Sequence, residues 1–144
     1  MKKTIIALLC TLTLFGGDIV VKPSHNSVDA TIGKLGKIVR AKGFTVFAVI
    51  DHAAGAQAVG MRMPASKEIV FGNPKLGTKL MLANPLAGLD LPIRVLVFTD
   101  KENTVKIAYR NGTWLMREYG LQLPKLEAKM NGALDKITTE AAQP

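Results

Sequence analysis

The chain has 144 residues, a formal charge of +8, 48% hydrophobic residues and a single cysteine. That length sets one domain with one core, and that hydrophobic content excludes a disordered chain. The cations are dispersed from Lys22 to Lys136 with no basic run and no interleaved aromatics, so they read as a solvated surface and not as a nucleic-acid stripe.

Residues 1–17 read as an export signal. Lys2-Lys3 form its positive start, and Ile5 to Phe15 form an apolar run shorter than a bilayer span. The expected location is periplasmic or secreted, with no membrane span after cleavage. Leu14 and Phe15 are bulky before Gly16-Gly17, so an uncleaved anchor stays open as an alternative. Without Lys2 and Lys3 the chain keeps 17 basic and 11 acidic residues, a charge of +6. Cys10 lies inside the signal, and Leu9 stands where a lipid-modified cysteine wants a small residue. A mature chain would then carry no disulfide, thiolate metal site or cysteine nucleophile, and its core alone would hold it.

Asp18 to Lys22 is a short β-rich run that Pro23 ends. Ser27 suits an N-cap, Asp29 suits the first turn, and Val28, Ile32, Leu35 and Val39 recur at helical spacing up to Gly43. Gly33 and Gly36 weaken this helix by up to about 1 kcal/mol each relative to alanine, which points to close packing on a sheet. Phe44 to Ile50 reads as a buried strand, Asp51 to Ala56 as a loop, and Ala58 to Met63 as a further strand ending at Pro64.

Lys67 to Phe71 is a third apolar run, stopped by the turn Gly72-Asn73-Pro74. Lys75 to Ala83 reads as a short helix. Asn84-Pro85 caps and starts a second short piece, which ends at Asp90-Leu91-Pro92. Ile93 to Thr99 and Thr104 to Tyr109 form a hairpin across the polar loop Asp100 to Asn103. After Asn111-Gly112 a helical segment starts at Thr113. The last helix begins near Pro124 and buries Leu126, Met130, Ala133, Leu134 and Ile137. Residues after Thr139 read as frayed, which leaves one domain over 18–140 and a tail over 141–144. The order predicts a two-layer α+β domain, an antiparallel sheet covered by helices on one face.

The succession GFTVFAVIDHAAGA, FGNPKLGTKLMLANPLAGLDLPIRVLVF and TWL resembles the domain of unknown function 302 family over residues 18–140. The most specific pieces are Asp51-His52 after an apolar strand, Phe71-Gly72-Asn73-Pro74, and Ala83-Asn84-Pro85 through Leu89-Asp90-Leu91-Pro92. The resemblance implies a small α+β fold similar to TATA-binding-protein-like folds, a homodimer, and no established activity. Some members carry cysteine in place of Gly72, so no thiol role carries over to this chain.

His52 is the first candidate for chemistry, as a base or a metal ligand, because its reference pKa is near 6.5. Asp51 precedes it, but adjacent strand residues point to opposite faces. The plainer alternative is a capped strand end with His52 hydrogen-bonded into the Ala-Gly loop. His25 reads as a neighbour of the first helix. Met61 and Met63 with His52 would suit Cu(I), although core packing is the favoured reading of the two methionines. The segment over 72–92 holds more leucine than two helical turns need, as a lid over the sheet, a hydrophobic pocket or a dimer face. Asn73, Leu80, Asn84 and Trp114 join Asp51 and His52 as ligand-binding candidates, although a large aromatic placed like Trp114 at a strand-to-helix junction is usually core. Phosphate loops, HExxH, GxSxG and paired catalytic carboxylates are absent. The favoured expectation is an exported, non-catalytic domain without a cofactor that binds a hydrophobic small molecule or a protein. The rival is a small periplasmic enzyme or copper protein centred on His52. Both assume that the imidazole and the leucine-rich segment share one opening.

Overall fold

The β-branched runs pair into one antiparallel sheet in the computed structural model, which describes residues 19–144. The expected export signal, Cys10 and Asp18 lie outside the described residues. The strands are β1 (Ile19–Pro23), β2 (Thr45–Asp51), β3 (Ser66–Gly72), β4 (Ile93–Thr99) and β5 (Val105–Arg110), and they lie in the order β1-β5-β4-β3-β2. Every neighbouring pair is antiparallel. The helices are α1 (Val28–Ala41), α2 (His52–Ala58), α3 (Pro74–Ala83), α4 (Gly112–Glu118) and α5 (Pro124–Ala142), with a 3₁₀ turn at Pro85–Leu89.

Strand alternation sends Ile69, Phe71, Val95, Val97, Ile107 and Tyr109 to one face, where all are buried. Leu35 and Val39 of α1 and Ile137 of α5 pack over them. Each fully buried aliphatic side chain contributes about 1.5–3 kcal/mol. This is the α+β architecture that the element order predicts. Ser27 caps α1, its Oγ accepting from the Ala30 N–H at 3.2 Å, and Gly43 at φ 79° turns the chain out of the helix. Of the two helix glycines only Gly36 packs on the sheet. A Cβ there would meet Arg40 Nη1 at 3.1 Å and Ile69 Cδ1 at 3.9 Å, whereas one on Gly33 would meet nothing within 4 Å.

Two expected elements differ. No strand forms over Ala58–Met63, because β3 occupies the place beside β2. The alanine-rich stretch after Asp51 instead forms α2, with Asp51 Oδ1 accepting from the Ala54 N–H at 2.8 Å. Met61 and Met63 therefore lie in a loop and are exposed, not packed in the core. The tail does not fray after Thr139. Helix α5 runs to Ala142, and Ala141 and Ala142 are buried. The N-terminal strand and its turn hold that end. Lys22 Nζ donates to Asp135 Oδ1 at 2.6 Å, Thr138 Oγ1 at 3.0 Å and Thr139 Oγ1 at 2.9 Å. The His25 N–H donates to the Ala142 carbonyl at 2.9 Å.

A second apolar cluster unites Leu80, Ala87, Trp114, Leu115, Met116 and Leu121 with the start of α5. It lies beneath α3, the 3₁₀ turn and α4. Gly33→Ala is expected to raise stability by about 0.5–1 kcal/mol, since the site is open and helical. Gly43→Ala is expected to lower it by about 1–2 kcal/mol, since the backbone there is left-handed. Urea unfolding midpoints of the two variants check both signs.

Candidate functional site

Two Asn-Pro steps shape one end of the sheet. Asn73 caps α3, its Oδ1 accepting from the Lys75 N–H at 3.0 Å with Pro74 in the first turn. Asn84 caps the 3₁₀ turn through the Leu86 N–H at 3.0 Å, and its Nδ2 donates to the Tyr119 carbonyl at 2.9 Å. Each proline takes a position where its missing N–H costs nothing. The chain is thereby folded back over the end where β2 begins, β3 ends and β4 begins, as the register pairs Thr45↔Gly72 and Phe71↔Ile93 show.

A cleft of about 280 Å³ opens there. Its walls include Phe44, Phe47, Leu76, Leu80, Met81 and Met130, and its polar lining comes from Asn73 and Thr78. Gly72 forms part of the floor, where an added Cβ would lie 3.3 Å from Pro92 Cβ and 3.9 Å from the Phe47 ring. Phe47 reaches that position because the β2–β3 register slips between Val46 and Ala48, which leaves it as the extra residue of a bulge. The ring stays half exposed at the rim. An apolar crevice of about 60 Å³ continues between α5 and the sheet, sharing Phe44, Leu76, Ile93 and Met130 with the cleft. Such a lining recognises apolar surface, and no Asp, Glu, His or Cys lines the cleft.

The sequence candidates separate into three places. Asn73 and Leu80 belong to the cleft, Leu80 in its buried wall. Asn84 lies behind it as a cap. Trp114 is buried in the second apolar cluster and borders a different cavity, of about 290 Å³, on the uncovered sheet face. Asp51 and His52 stand at the far end of β2. Six residue steps of about 3.3 Å separate Asp51 from Thr45, or about 20 Å. The imidazole and the leucine-rich segment therefore do not share an opening.

At that far end Lys67 Nζ contacts Asp29 Oδ1 at 2.7 Å and Asp51 Oδ2 at 3.1 Å. The Ala54 N–H, followed by the Lys67 ammonium, holds the Asp51 carboxyl below its usual range. The Asp29 and then the Asp51 carboxylate raise the Lys67 ammonium. His52 is exposed, and the hydrogen bond into the following helix comes from Asp51. Met61 and Met63 border this groove with Asp51, whereas His52 does not line it. Among the described residues no three His, Cys, Asp or Glu side chains are grouped to hold a metal ion.

Beside Trp114 lies a polar network that sequence patterns do not signal, because its members come from β5, the cap of the 3₁₀ turn, and α4 with its own cap. Arg110 Nη1 donates to Asp90 Oδ1 at 2.9 Å, and its guanidinium lies 4.3 Å from the Trp114 ring centre. The Tyr119 hydroxyl donates to Asp90 Oδ2, and its ring meets Trp114 edge-on at 6.4 Å. The Asp90 bond raises the Tyr119 phenol from 10.0 to about 12. The neutral phenol is thus favoured in the folded state. Its stabilising effect is present below pH 10 and is lost as pH rises toward 12. Ultraviolet titration is expected to show phenolate from Tyr119 only near pH 12, and Asp90→Asn to bring it back toward 10.

Comparison with known proteins gives one family. The profile of "Domain of unknown function DUF302" matches residues 20–137. The chain is 35% identical over 111 residues to the fluoride-specific ion channel FluC 1 of Brucella suis, covering 77% of this chain and 44% of that protein. The FluC 1 of Brucella abortus and FluC 2 of Brucella melitensis are also 35% identical, with 41% of each covered. The chain therefore spans less than half the length of these relatives. A crystal structure of an uncharacterized conserved DUF302 protein from Bacillus stearothermophilus superposes with a TM-score of 0.69 at 19% identity. That match covers 86% of this chain and 94% of the other, and it shows a shared fold. With the profile spanning nearly all the described residues, the chain belongs to the domain of unknown function DUF302 family.

Proposed function

We propose that the chain is an exported, non-catalytic binding domain that takes an apolar group into the cleft beside α3. The observation that carries this reading is the lining itself: aromatic, leucine and methionine side chains around a glycine floor, with Asn73 and Thr78 as its polar members. A volume of about 280 Å³ suits a small hydrophobic molecule or one chain of a larger one. Asn73 and Leu80 are the sequence candidates that serve this role directly. Asn84 supports it by capping the turn that holds the wall in place.

Two further observations support the reading. Lys2-Lys3 and the apolar run Ile5 to Phe15 favour export to the periplasm or beyond. In the Brucella channels the matching part makes up 44% or 41% of the protein. No helix among the described residues is long and apolar enough to cross a membrane. A segment of this kind suits a domain carried beside the conducting part of a channel, with a binding or contact role. A homodimer, the partner implied by the family resemblance, would have the uncovered sheet face available, where Ile19, Val21 and Ile50 are exposed. The rival reading centred on His52 draws nothing from the geometry, since the ring is exposed and no grouping of three potential ligands lies near it.

Gly72→Leu fills the cleft from its floor, where an added Cβ first meets Pro92 and Phe47. Wild-type protein is expected to enhance the fluorescence of the uncharged dye phenylnaphthylamine, and Gly72→Leu to bind it about tenfold more weakly. A dye affinity unchanged by this substitution, in a variant with the native circular-dichroism spectrum, would remove the cleft as the binding site.

A further inference from the structure

The segment that walls the cleft has a second side. Leu80 and Ala87 point into the second apolar cluster, while Leu82, Leu86 and Leu89 are 80%, 62% and 71% exposed. Met81 is 39% exposed, and its Sδ lies 3.4 Å from where a Gly88 Cβ would stand. The methionine thus joins α3 to the 3₁₀ turn. Four large apolar side chains within nine residues are a patch and not the ordinary scatter of a protein surface.

The charges within this segment have one sign. Lys75, Lys79 and Leu82 fall on one side of α3 at helical spacing, a different side from Leu76 and Leu80. Between Asn73 and Leu89 there is no acidic residue. Lys75 and Lys79 are exposed, and neither forms an ion pair among the described residues. A second copy meeting this face by two-fold symmetry would bring its own lysines to the same contact. An anionic lipid surface answers both features at once. Its headgroup boundary accepts leucine side chains, and its phosphates accept the ammonium groups of lysines whose stems lie along the apolar surface.

We propose that α3 and the following 3₁₀ turn form a membrane-docking face, which lies on an anionic bilayer without crossing it. Leu82, Leu86, Leu89 and Met81 enter the interface, and Lys75 and Lys79 pair with lipid phosphate. This face and the cleft share α3 and its Met81, but Lys75, Lys79, Leu82, Leu86 and Leu89 do not line the cleft, so docking does not require the cleft to be occupied.

Amide hydrogen exchange of the full chain, read peptide by peptide, tests the assignment. The probes are vesicles of equal parts phosphatidylglycerol and phosphatidylcholine, and vesicles of phosphatidylcholine alone. Exchange over residues 74–89 is expected to slow about fivefold or more with the anionic vesicles and much less with the zwitterionic ones. The slowing is expected to vanish in the variant Leu82→Ser, Leu86→Ser, Leu89→Ser and to weaken in Lys75→Glu, Lys79→Glu. All five side chains are exposed in the fold, and the charge-reversal pair carries the test should the serine variant not fold. Gly72→Leu is expected to keep the slowing, which separates this proposal from the fate of the cleft. Slowing confined to peptides before residue 19 overturns the proposal, as does equal slowing with both vesicles that charge reversal leaves intact. Protection of 74–89 that rises with protein concentration in the absence of lipid also overturns it, and assigns the face to a second copy.

Discussion

The structure depends on burying one side of a sheet. Leu35, Val39 and Ile137 cover Ile69, Val95, Val97 and Ile107, and all seven side chains are essentially removed from water. In the described residues this contact has no disulfide to assist it. Strand alternation then dictates the other face. Residues such as Arg94, Leu96, Ala108 and Arg110 must project away from α1 and α5, to the face where Trp114 and Leu115 of α4 border a cavity with them. Helix α1 spans the β2, β3 and β4 side while α5 lies beside it and reaches β1. The chain between β3 and β4 is consequently excluded from the main core and has to build its own.

That second core explains the position of the cleft. Leu80 and Ala87 anchor α3 and the 3₁₀ turn onto α4 and the start of α5, so the segment stands off the end of the sheet rather than lying on it. The gap between segment and sheet is the cleft. Gly72 keeps its floor open and Phe47 narrows its mouth. Electrostatics is settled elsewhere in the fold, at Lys67 with its two carboxylates and at Asp90 with Arg110 and Tyr119. Neither of these charged groups lines the apolar cleft.

Much of the fold is legible in the sequence because its periodicities are clean. The helical repeat of Val28, Ile32, Leu35 and Val39, and the β-branched runs at 67–71, 93–99 and 104–109, each match an observed element. The asparagine and proline signals at 73–74 and 84–85 mark real caps. The misreadings share a cause, which is that tertiary placement decides them. The apolar residues Val59, Met61 and Met63 look like a strand, but both sides of β3 are already paired, with β2 and with β4. The last alanines look frayed until the Ser24–Asn26 turn is seen to hold them. Residue types single out the candidates one by one but do not group them, since the seven-residue length of β2 sets Asp51 and Asn73 at opposite ends. Phe47 was hidden because a register slip leaves no mark in an apolar run.

The edge strand β1 carries a consequence for timing. Its partner is β5, and Ile19 pairs with Arg110, ninety-one positions later. Its lysine and the turn after it are held by α5, the last helix of the chain. During synthesis β1 thus waits for β5 and α5 before it finds a place. Contacts so distant along the polymer form slowly, because a large loop must close before any reward is gained. A nascent chain of this design keeps β1 unpaired until β5 and α5 have been made.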